Sequence, residues 1–473
     1  MVQQSRQQQE PTEASQAFTP NRRRNPRRLR RGGCQFIGDG MGAAQRQVAE
    51  YYLQQQKKDP ALRLAMDTLP VTGITTTHSA DSLITDSAAA GTALAAGVKT
   101  NNGVIGLLPD GTKVTTLLEQ ARDHGMKTGI ITSTRLTHAT PASFISKNPD
   151  RDDENAIAEE FVASGVDYMA GGGYRHFINK ASGLKSKRRD DKDLVTALTK
   201  AGYTTFISEK STQNFMHYQP KAGEKVFGAF SASHLPYSLD EASKQATPSL
   251  AQLVDKGISL LSLEGNKKGF FMMVEGGRID HAGHAHDVAA NIDDTLAMDD
   301  AVKTALNFYQ KHPKETLIVV AADHETGGMG LGFGKNYYLK LDQLAKVKQS
   351  IEDKTQKIYT GDRAAFYTTI GQQFGLTDLS ANEKKIIEQA LDVADKKDLT
   401  PDENQWGEYD PAAIGVAHVI SQRANIYWTT YAHTGVQVPL SAIGVEAQQF
   451  GGFKDNTEVA KTMAKIMKFN IGA

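Results

Sequence analysis

Short apolar runs alternate with amphipathic segments along most of this chain. Five apolar runs end in glycine or polar residues, as buried strands do, at 34–40, 127–133, 166–173, 269–277 and 316–325. Helical spacing of apolar residues occurs between them, at 41–56, 87–97, 113–124, 153–164, 247–263 and 290–311. This order predicts an α/β fold with a central, mostly parallel sheet flanked by helices on both faces.

Two regions depart from this alternation. Residues 1–33 are rich in glutamine, proline and arginine, and seven of the arginines fall between Arg22 and Arg31. We expect a disordered basic tail or a segment foreign to the natural protein, rather than a nucleic-acid or membrane-binding arm. Residues 335–410 are charged and mostly helical in pattern, so we expect a cap or surface insertion within a catalytic domain spanning 34–473. An amphipathic helix pattern returns over 409–428.

The composition excludes several classes of protein. Basic and acidic residues balance at 54 each in 473 residues, which argues against a general nucleic-acid or membrane-surface binder. No apolar run approaches the roughly 20 residues that span a bilayer. Residues 1–33 lack the apolar core of an export signal, and the single Cys34 allows no intrachain disulfide.

Polar residues of metal-binding type follow four of the predicted strands. Ligands of open α/β sheets gather at the carboxyl ends of the strands. Those ends carry Asp39, the stretch 132–140, Glu275 with Asp280, and Asp323 with His324. Four such ends together indicate a functional site.

The stretch "EGGRIDHAGHAHD" is the densest of these. Asp280 and His284 are four residues apart, so a helix places both on one face, and carboxylate with imidazole is a common zinc pairing. A surface pair is more common at this spacing, but the preceding apolar run places this one in the crevice of the sheet. His281 and His286 point elsewhere on such a helix. A lone late histidine such as His433 is usually structural.

Ser87 opens the alanine-rich segment "SAAAGTALAA". Helix capping by Asp86 or Ser87 is the ordinary interpretation. The alternative is a nucleophile at a helix N-terminus, where N–H groups favour an anion. No G-x-S-x-G elbow surrounds Ser87, so activation by a metal fits better than activation by a histidine base.

Taken together, six blocks resemble the alkaline phosphatases, zinc- and magnesium-dependent phosphomonoesterases. The blocks are "FIGDGMG", "TDSAAAGTA", "THATPASF", "EGGRIDHAGH", "ADHETGG" and "AHTGVQVPL", in the family's order between Phe36 and Gly444. The resemblance implies that Ser87 is the nucleophile that becomes a phosphoserine and that Arg151 binds phosphate. It implies a first zinc on Asp280, His284 and His433, a second on Asp39, Asp323 and His324, and a magnesium on Asp39, Thr140 and Glu275.

His138 and His281 depart from the pattern beside the magnesium site, where some members have aspartate and lysine. We expect both to contribute to substrate binding, and His138 also to the third ion. Histidine accepts zinc more readily than an oxygen site does, so the third ion is left open between magnesium and zinc, with magnesium favoured. The resemblance further implies a homodimer in the periplasm or outside the cell, acting on small phosphate monoesters, without a nucleic-acid partner.

Other functions are compatible with parts of the pattern. A sulfatase of this superfamily resembles C-x-P-x-R at its nucleophile, whereas Cys34 is followed by "QFI". A phosphodiesterase has no use for Arg151 on two free oxygens of a monoester. A non-catalytic metal- or phosphate-binding protein would keep the ligands without a working nucleophile, and the helix start at Ser87 argues against it.

Overall fold

The computed structural model describes residues 32–241, 246–263, 265–396 and 403–472. Its strands are β1 (Gly32–Gly38), β2 (Val71–Thr75), β3 (Lys127–Arg135), β4 (Tyr168–Gly172), β5 (Tyr203–Ile207), β6 (Lys225–Ala229), β7 (Phe270–Gly276), β8 (Thr316–Ala322), β9 (Glu325–Thr326), β10 (Gly330–Leu331), β11 (Ile426–Tyr427), β12 (His433–Thr434), β13 (Val438–Gly444) and β14 (Gly452–Lys454).

The α-helices are α1 (Ala43–Lys57), α2 (Ser87–Ala96), α3 (Leu117–Asp123), α4 (Ala139–Ala142), α5 (Glu154–Ala163), α6 (Leu194–Lys200), α7 (Thr212–His217), α8 (Ser238–Glu241), α9 (Leu250–Leu261), α10 (Arg278–His284), α11 (Val288–Lys311), α12 (Arg363–Phe374), α13 (Ala381–Asp395), α14 (Glu403–Trp406), α15 (Pro411–Ala424) and α16 (Thr457–Met467). Short 3₁₀ turns occur at Ala65–Asp67, Tyr174–His176, Lys180–Ser182, Glu209–Ser211, Leu341–Lys346 and Ala447–Phe450, and a π-helical turn at Ile351–Thr355.

Within the described ranges, ten strands form one sheet in the order β14-β2-β13-β8-β1-β7-β3-β4-β6-β5. The seven strands from β8 to β5 run parallel, and β13 is antiparallel to both of its neighbours. The predicted α/β class with a mostly parallel sheet is therefore confirmed.

The central strands form because their side chains are buried on both faces of the sheet. Along β7, Phe270 and Met272 enter one hydrophobic core, and Phe271 and Met273 enter the other. Strand β8 alternates in the same way. Burial of one such large side chain stabilises the fold by roughly 1.5–3 kcal/mol. The two cores fix the register of the strands, and the register in turn fixes the residues at their ends.

Several boundaries differ from the sequence predictions. The first strand starts at Gly32, and the arginines at 22–31 lie outside the described residues. The helix predicted over 409–428 ends at Ala424, because Asn425 adopts a left-handed conformation with φ of 61° and β11 follows. The described part of residues 335–410 contains the helices α12, α13 and α14 and short helical turns separated by loops, and it packs on α15. No helix in the described ranges has the length and apolar character needed to cross a bilayer.

Candidate active site

The carboxyl ends of four adjacent strands, β8, β1, β7 and β3, place the predicted acids together. Gly38 of β1 lies opposite Gly276 of β7 and Ala322 of β8. Asp39 follows Gly38 and Glu275 precedes Gly276, so the two acids are neighbours at one edge of the sheet. Both are fully buried, as is Asp323 after β8.

A first ligand group consists of Asp280, His284 and His433. Helix α10 carries the acid and the first histidine one turn apart, with His284 Nε2 at 3.3 Å from Asp280 Oδ1. His433 Nε2 lies 3.4 Å from the same oxygen and 3.2 Å from His284 Nε2. His433 reaches the group because β12 pairs with β9 directly after the strand end at Asp323. The helix geometry predicted for Asp280 and His284 is confirmed.

A second ligand group consists of Asp39, Asp323 and His324. His324 Nε2 lies 3.3 Å from Asp39 Oδ1 and 3.4 Å from Asp323 Oδ2. Asp323 is oriented by the backbone, since its Oδ1 accepts from Gly40 N at 3.2 Å and from His324 N at 2.9 Å. Because the loop turns between Asp323 and His324, the side chains of these two adjacent residues meet in the second group.

A third ligand group shares Asp39 and adds His138 and Glu275. His138 Nδ1 lies 3.9 Å from Glu275 Oε1. The Thr140 hydroxyl lies 3.4 Å from Asp39 Oδ2. The sequence analysis places all four residues at this position, and the structure brings them together.

The electrostatics of these groups fit divalent cations. Within the described residues, Asp39 Oδ1, Asp323 Oδ2, Glu275 Oε1 and His138 Nδ1 are buried atoms without hydrogen-bond partners. Burial raises the pKa of Asp39, and the charges of Asp323, Asp280 and Glu275 raise it further. Burial also raises the pKa of Asp323 to about 7. Buried polar groups are normally paired, so orphan atoms clustered among like charges indicate a missing positive charge.

Ser87 lies beside the second group. Its Oγ is 3.3 Å from His324 Nε2, and the residue is only 2% exposed. It is the first residue of α2, and the carboxylate of Asp86 caps that helix by accepting from Ala89 N at 2.9 Å. Capping therefore falls to Asp86, which leaves the Ser87 hydroxyl directed toward the ligand groups.

Arg151 contacts the residue that precedes Ser87. Its Nη1 donates to Asp86 Oδ2 at 2.9 Å, and its Nη2 lies 3.4 Å from His138 Nε2. The guanidinium thus lies between the start of α2 and the third group. The backbone N–H of Arg151 donates to Gly103 O. Asp86 holds the planar fork of Arg151 next to Ser87.

The structure adds contacts around the predicted residue His281 that the sequence did not indicate. His281 belongs to none of the three groups, and its Nδ1 accepts from Arg278 Nη1 at 3.0 Å. The buried Arg278 also pairs with Glu352 and Asp353, which belong to the 335–410 region. No motif marks Glu352 and Asp353, since ordinary surface ion pairs have the same composition.

His234 is a second residue without a sequence signal. Its ring lies 4.3 Å from that of His281 and 5.8 Å from that of His138, centroid to centroid. Its Nε2 contacts a guanidinium nitrogen of Arg135. The imidazoles of His234 and His281 therefore lie beside that of His138, which belongs to the third group.

A cavity of about 610 Å³ opens beside the first group. It is lined by His284, by 407–409 and by 429–432. Tyr409 and Tyr431 therefore lie along the approach to the first group from this side.

The fold and site define an α/β protein with three carboxylate–imidazole ligand groups beside a serine at a helix N-terminus. The sequence profile described as alkaline phosphatase matches residues 34–469. Alkaline phosphatase 3 of Bacillus subtilis (strain 168) is 32% identical over 438 residues, 92% of this chain and 88% of that protein. The repressible alkaline phosphatase of Saccharomyces cerevisiae is 31% identical over 92% of this chain and 81% of that protein.

Solved structures agree. The crystal structure of Thermus thermophilus alkaline phosphatase has a TM-score of 0.80 at 29% identity, covering 94% of this chain and 92% of that one. A cold-active alkaline phosphatase from Shewanella sp. has a TM-score of 0.77 at 28% identity, covering 92% and 99%. The chain belongs to the alkaline phosphatase family. It is a metal-binding enzyme that hydrolyses phosphate monoesters.

Proposed function

We propose that the enzyme hydrolyses phosphate monoesters through a phosphoserine on Ser87, at a site that binds two zinc ions and one magnesium ion. The observation that carries this proposal is the position of Ser87 Oγ, 3.3 Å from a ligand nitrogen of the second group. The imidazole and two carboxylates of that group are themselves the proposed ligands, so none of them is free to act as a base for the Ser87 hydroxyl. Activation of this hydroxyl is therefore assigned to the metal.

The metals are assigned by donor type. Asp280, His284 and His433 would hold the first zinc, and Asp39, Asp323 and His324 the second, since mixed imidazole and carboxylate sets suit zinc. In the third group, Asp39 and Glu275 would hold magnesium together with the neighbouring Thr140 hydroxyl, and His138 is the donor that also admits zinc. When bound, such cations neutralise the phosphate and lower the pKa of a hydroxyl in contact with them.

The chain's own residues perform the remaining steps. Ser87 Oγ forms a bond to phosphorus as the bond from phosphorus to the leaving oxygen breaks, and the leaving oxygen departs as the alcohol. Water then attacks the phosphoserine, which releases inorganic phosphate and restores Ser87. Arg151 donates two parallel hydrogen bonds to phosphate oxygens, and Asp86 orients its guanidinium. His138 and His281 border this position and would contact the phosphate directly or through water.

The organic part of the substrate would occupy the cavity beside His284. A volume of about 610 Å³ admits small and medium-sized alcohols without selecting one of them. Because residues 407–409 line it and Glu352 pairs with Arg278, we propose that the 335–410 region borders the entrance as a cap on the catalytic domain, 34–473.

The test compares turnover of a phosphate monoester, a phosphodiester and a sulfate ester by the wild type and by Ser87→Ala. We expect turnover of the monoester well above the other two. We expect Ser87→Ala to keep its metal content and to lose turnover by several orders of magnitude, as removal of a nucleophile does. Preference for the diester, or unchanged turnover in Ser87→Ala, would reject the proposal.

We also propose that the enzyme is a homodimer outside the cytoplasm, as the resemblance implies. An exposed apolar pair on the edge of the sheet supports the dimer: Ile74 of β2 is 45% exposed, and its partner Phe453 of β14 is 64% exposed. Light scattering after size-exclusion chromatography tests the dimer, and Phe453→Ser should weaken it. Activity in the fractions of intact cells tests the location.

A further inference from the structure

We propose that His286 is a positioning residue for the first ligand group. It lies two residues after His284, beyond the end of α10, in a left-handed conformation with φ of 51°. The residue is only 4% exposed and belongs to none of the three ligand groups. This inference rests on the proposed function only in taking the first group as a zinc site.

Two aromatic side chains stack on the ring of His286. Tyr431 stacks on it with centroids 3.9 Å apart and planes 11° apart, and Trp428 stacks with centroids 5.2 Å apart and planes 3° apart. Trp428 is in turn attached to α15, because its Nε1 donates to Ser421 Oγ at 3.0 Å. The imidazole thus joins the end of α10 to the loop 428–433.

Hydrogen bonds fix the orientation of this imidazole. His286 Nε2 lies 2.9 Å from the carbonyl oxygen of Thr430, so Nε2 carries the proton and donates it. Nδ1 lies 3.3 Å from His418 Nε2 and accepts. Each ring nitrogen therefore has a partner, and the ring has one orientation.

The loop held in this way determines the geometry of two ligands. The carbonyl oxygen of Tyr431 accepts from His284 Nδ1, which leaves Nε2 directed at the metal position. His433 ends the loop, and its Nδ1 donates to the carbonyl oxygen of Thr85 at 2.8 Å, so its Nε2 is also free. Partners of this kind set the tautomer and direction of a ligating histidine. Displacement of the loop would move His433 away from Asp280 and would remove the carbonyl partner that orients His284.

Zinc release tests the proposal without relying on turnover. The wild type and His286→Asn are loaded with Zn²⁺ and mixed with 4-(2-pyridylazo)resorcinol, and the release of each ion is followed by absorbance. Asparagine tolerates the positive φ but has no ring to stack. We expect one zinc ion per chain to leave roughly 10–100 times faster, the range typical for loss of an outer partner, and the other to be unaffected. Added Zn²⁺ should restore turnover.

Two further variants complete the design. Tyr431→Leu keeps the loop backbone but removes one stacked ring, so it should accelerate release of the same ion. His217→Ala, at an exposed histidine whose ring contacts its own helix at Gln213 O, should leave release unchanged.

The proposal would be overturned if both ions left His286→Asn and Tyr431→Leu at rates within twofold of the wild type. Equal acceleration of both ions, with a lower Tm of the metal-free protein, would also overturn it, since a merely structural role has that result. A wild type that binds zinc but hydrolyses no monoester would refute the proposed function and leave the zinc comparison intact.

Discussion

Replacement of Asp323 by asparagine should stabilise the metal-free protein while abolishing activity of the metal-loaded one. Asp323 is fully buried, and burial together with the charge of Asp280 raises its pKa from 3.8 to about 7. At about 1.4 kcal/mol for each tenfold change in the protonation equilibrium, ionisation costs the folded metal-free protein on the order of 4 kcal/mol relative to the unfolded chain. Asparagine removes that cost.

Local geometry favours the substitution further. The Oδ1 of an asparagine can still accept from Gly40 N and His324 N, the two donors that Asp323 uses. Its amide would replace Asp323 Oδ2, which lacks a partner, and would face the orphan Asp39 Oδ1 across His324 Nε2. The substitution thus places a hydrogen-bond donor where the wild type has an acceptor among other acceptors. In the wild type, bound cations offset this crowding of acceptors.

The pH dependence provides a sharper criterion. Because the pKa of Asp323 is raised in the folded state, the penalty is absent below pH 3.8, grows as pH rises, and is complete above about pH 7. The gain in Asp323→Asn should therefore be about 4 kcal/mol at pH 8 and less than half of that at pH 5. For a chain of this size, 4 kcal/mol corresponds to roughly 4 °C in Tm.

The assay is thermal or urea unfolding in the presence of a chelator, at pH 5 and pH 8, beside the same measurement with Zn²⁺ and Mg²⁺. Asp123→Asn, at an acid whose side chain is 53% exposed, is the matched control and should show no gain. With metals, Asp323→Asn should lose the stabilisation that the second ion gives the wild type. A metal-free Asp323→Asn less stable than the wild type at pH 8, or equally changed at both pH values, would refute the reasoning.

Three further substitutions test separate parts of the site. Arg151→Ala removes a charged donor pair and should lower kcat/KM for a monoester by roughly 10–100-fold, measured by steady-state kinetics. In Gly328→Ala the new Cβ would lie 1.8 Å from Thr429 Oγ1 at a φ of 60°, so the loop must move, and we expect lower Tm and turnover. Thr132→Val removes a donor to Glu275 and should raise the Mg²⁺ concentration for half-maximal activity about tenfold, measured by titration of chelated enzyme.

Each of these has a control or a contradicting outcome. Arg122→Ala, at a partly exposed arginine on α3, should leave kcat/KM unchanged, and an equal loss in both variants would remove the special role of Arg151. Gly111→Ala has a φ of 84° but no neighbour within 4 Å of the new Cβ, so it reports the backbone cost alone. If Gly111→Ala lowers Tm and turnover as much as Gly328→Ala does, the clash with Thr429 is not the cause of the loss. Unaltered Mg²⁺ dependence in Thr132→Val would contradict the role of that hydroxyl.

The apolar runs predicted the centre of the sheet because they are buried on both faces. The strands β1, β3, β4, β7 and β8 were predicted, and so were the acids that follow β1, β7 and β8 and the polar residues that follow β3. Strands β2 ("VTGIT"), β5 ("YTTFI") and β13 ("VPLSAIG") were missed. These sequences are short, half polar or interrupted by proline, and tertiary pairing decides their conformation. The reversed direction of β13 has no local signal at all.

The ligand groups were predictable where ligands follow strands or share a helix face. Asp39, Asp323 and Asp280 with His284 satisfy that condition. His433 was found only through the family resemblance, because its place depends on the pairing of β12 with β9, far away in sequence. The same reason hides His234, whose ring meets the imidazoles of His138 and His281 from two distant parts of the chain. Sequence reasoning finds residues that local geometry brings together, and it misses those that only the closed fold assembles.

Anomalous X-ray scattering at the zinc absorption edge, from crystals of the metal-loaded enzyme, tests the central claim most directly. We expect two zinc peaks, one among Asp280, His284 and His433 and one among Asp39, Asp323 and His324, the second in contact with Ser87 Oγ. Zinc bound elsewhere, or no peak next to Ser87 in an enzyme that hydrolyses monoesters, would contradict it.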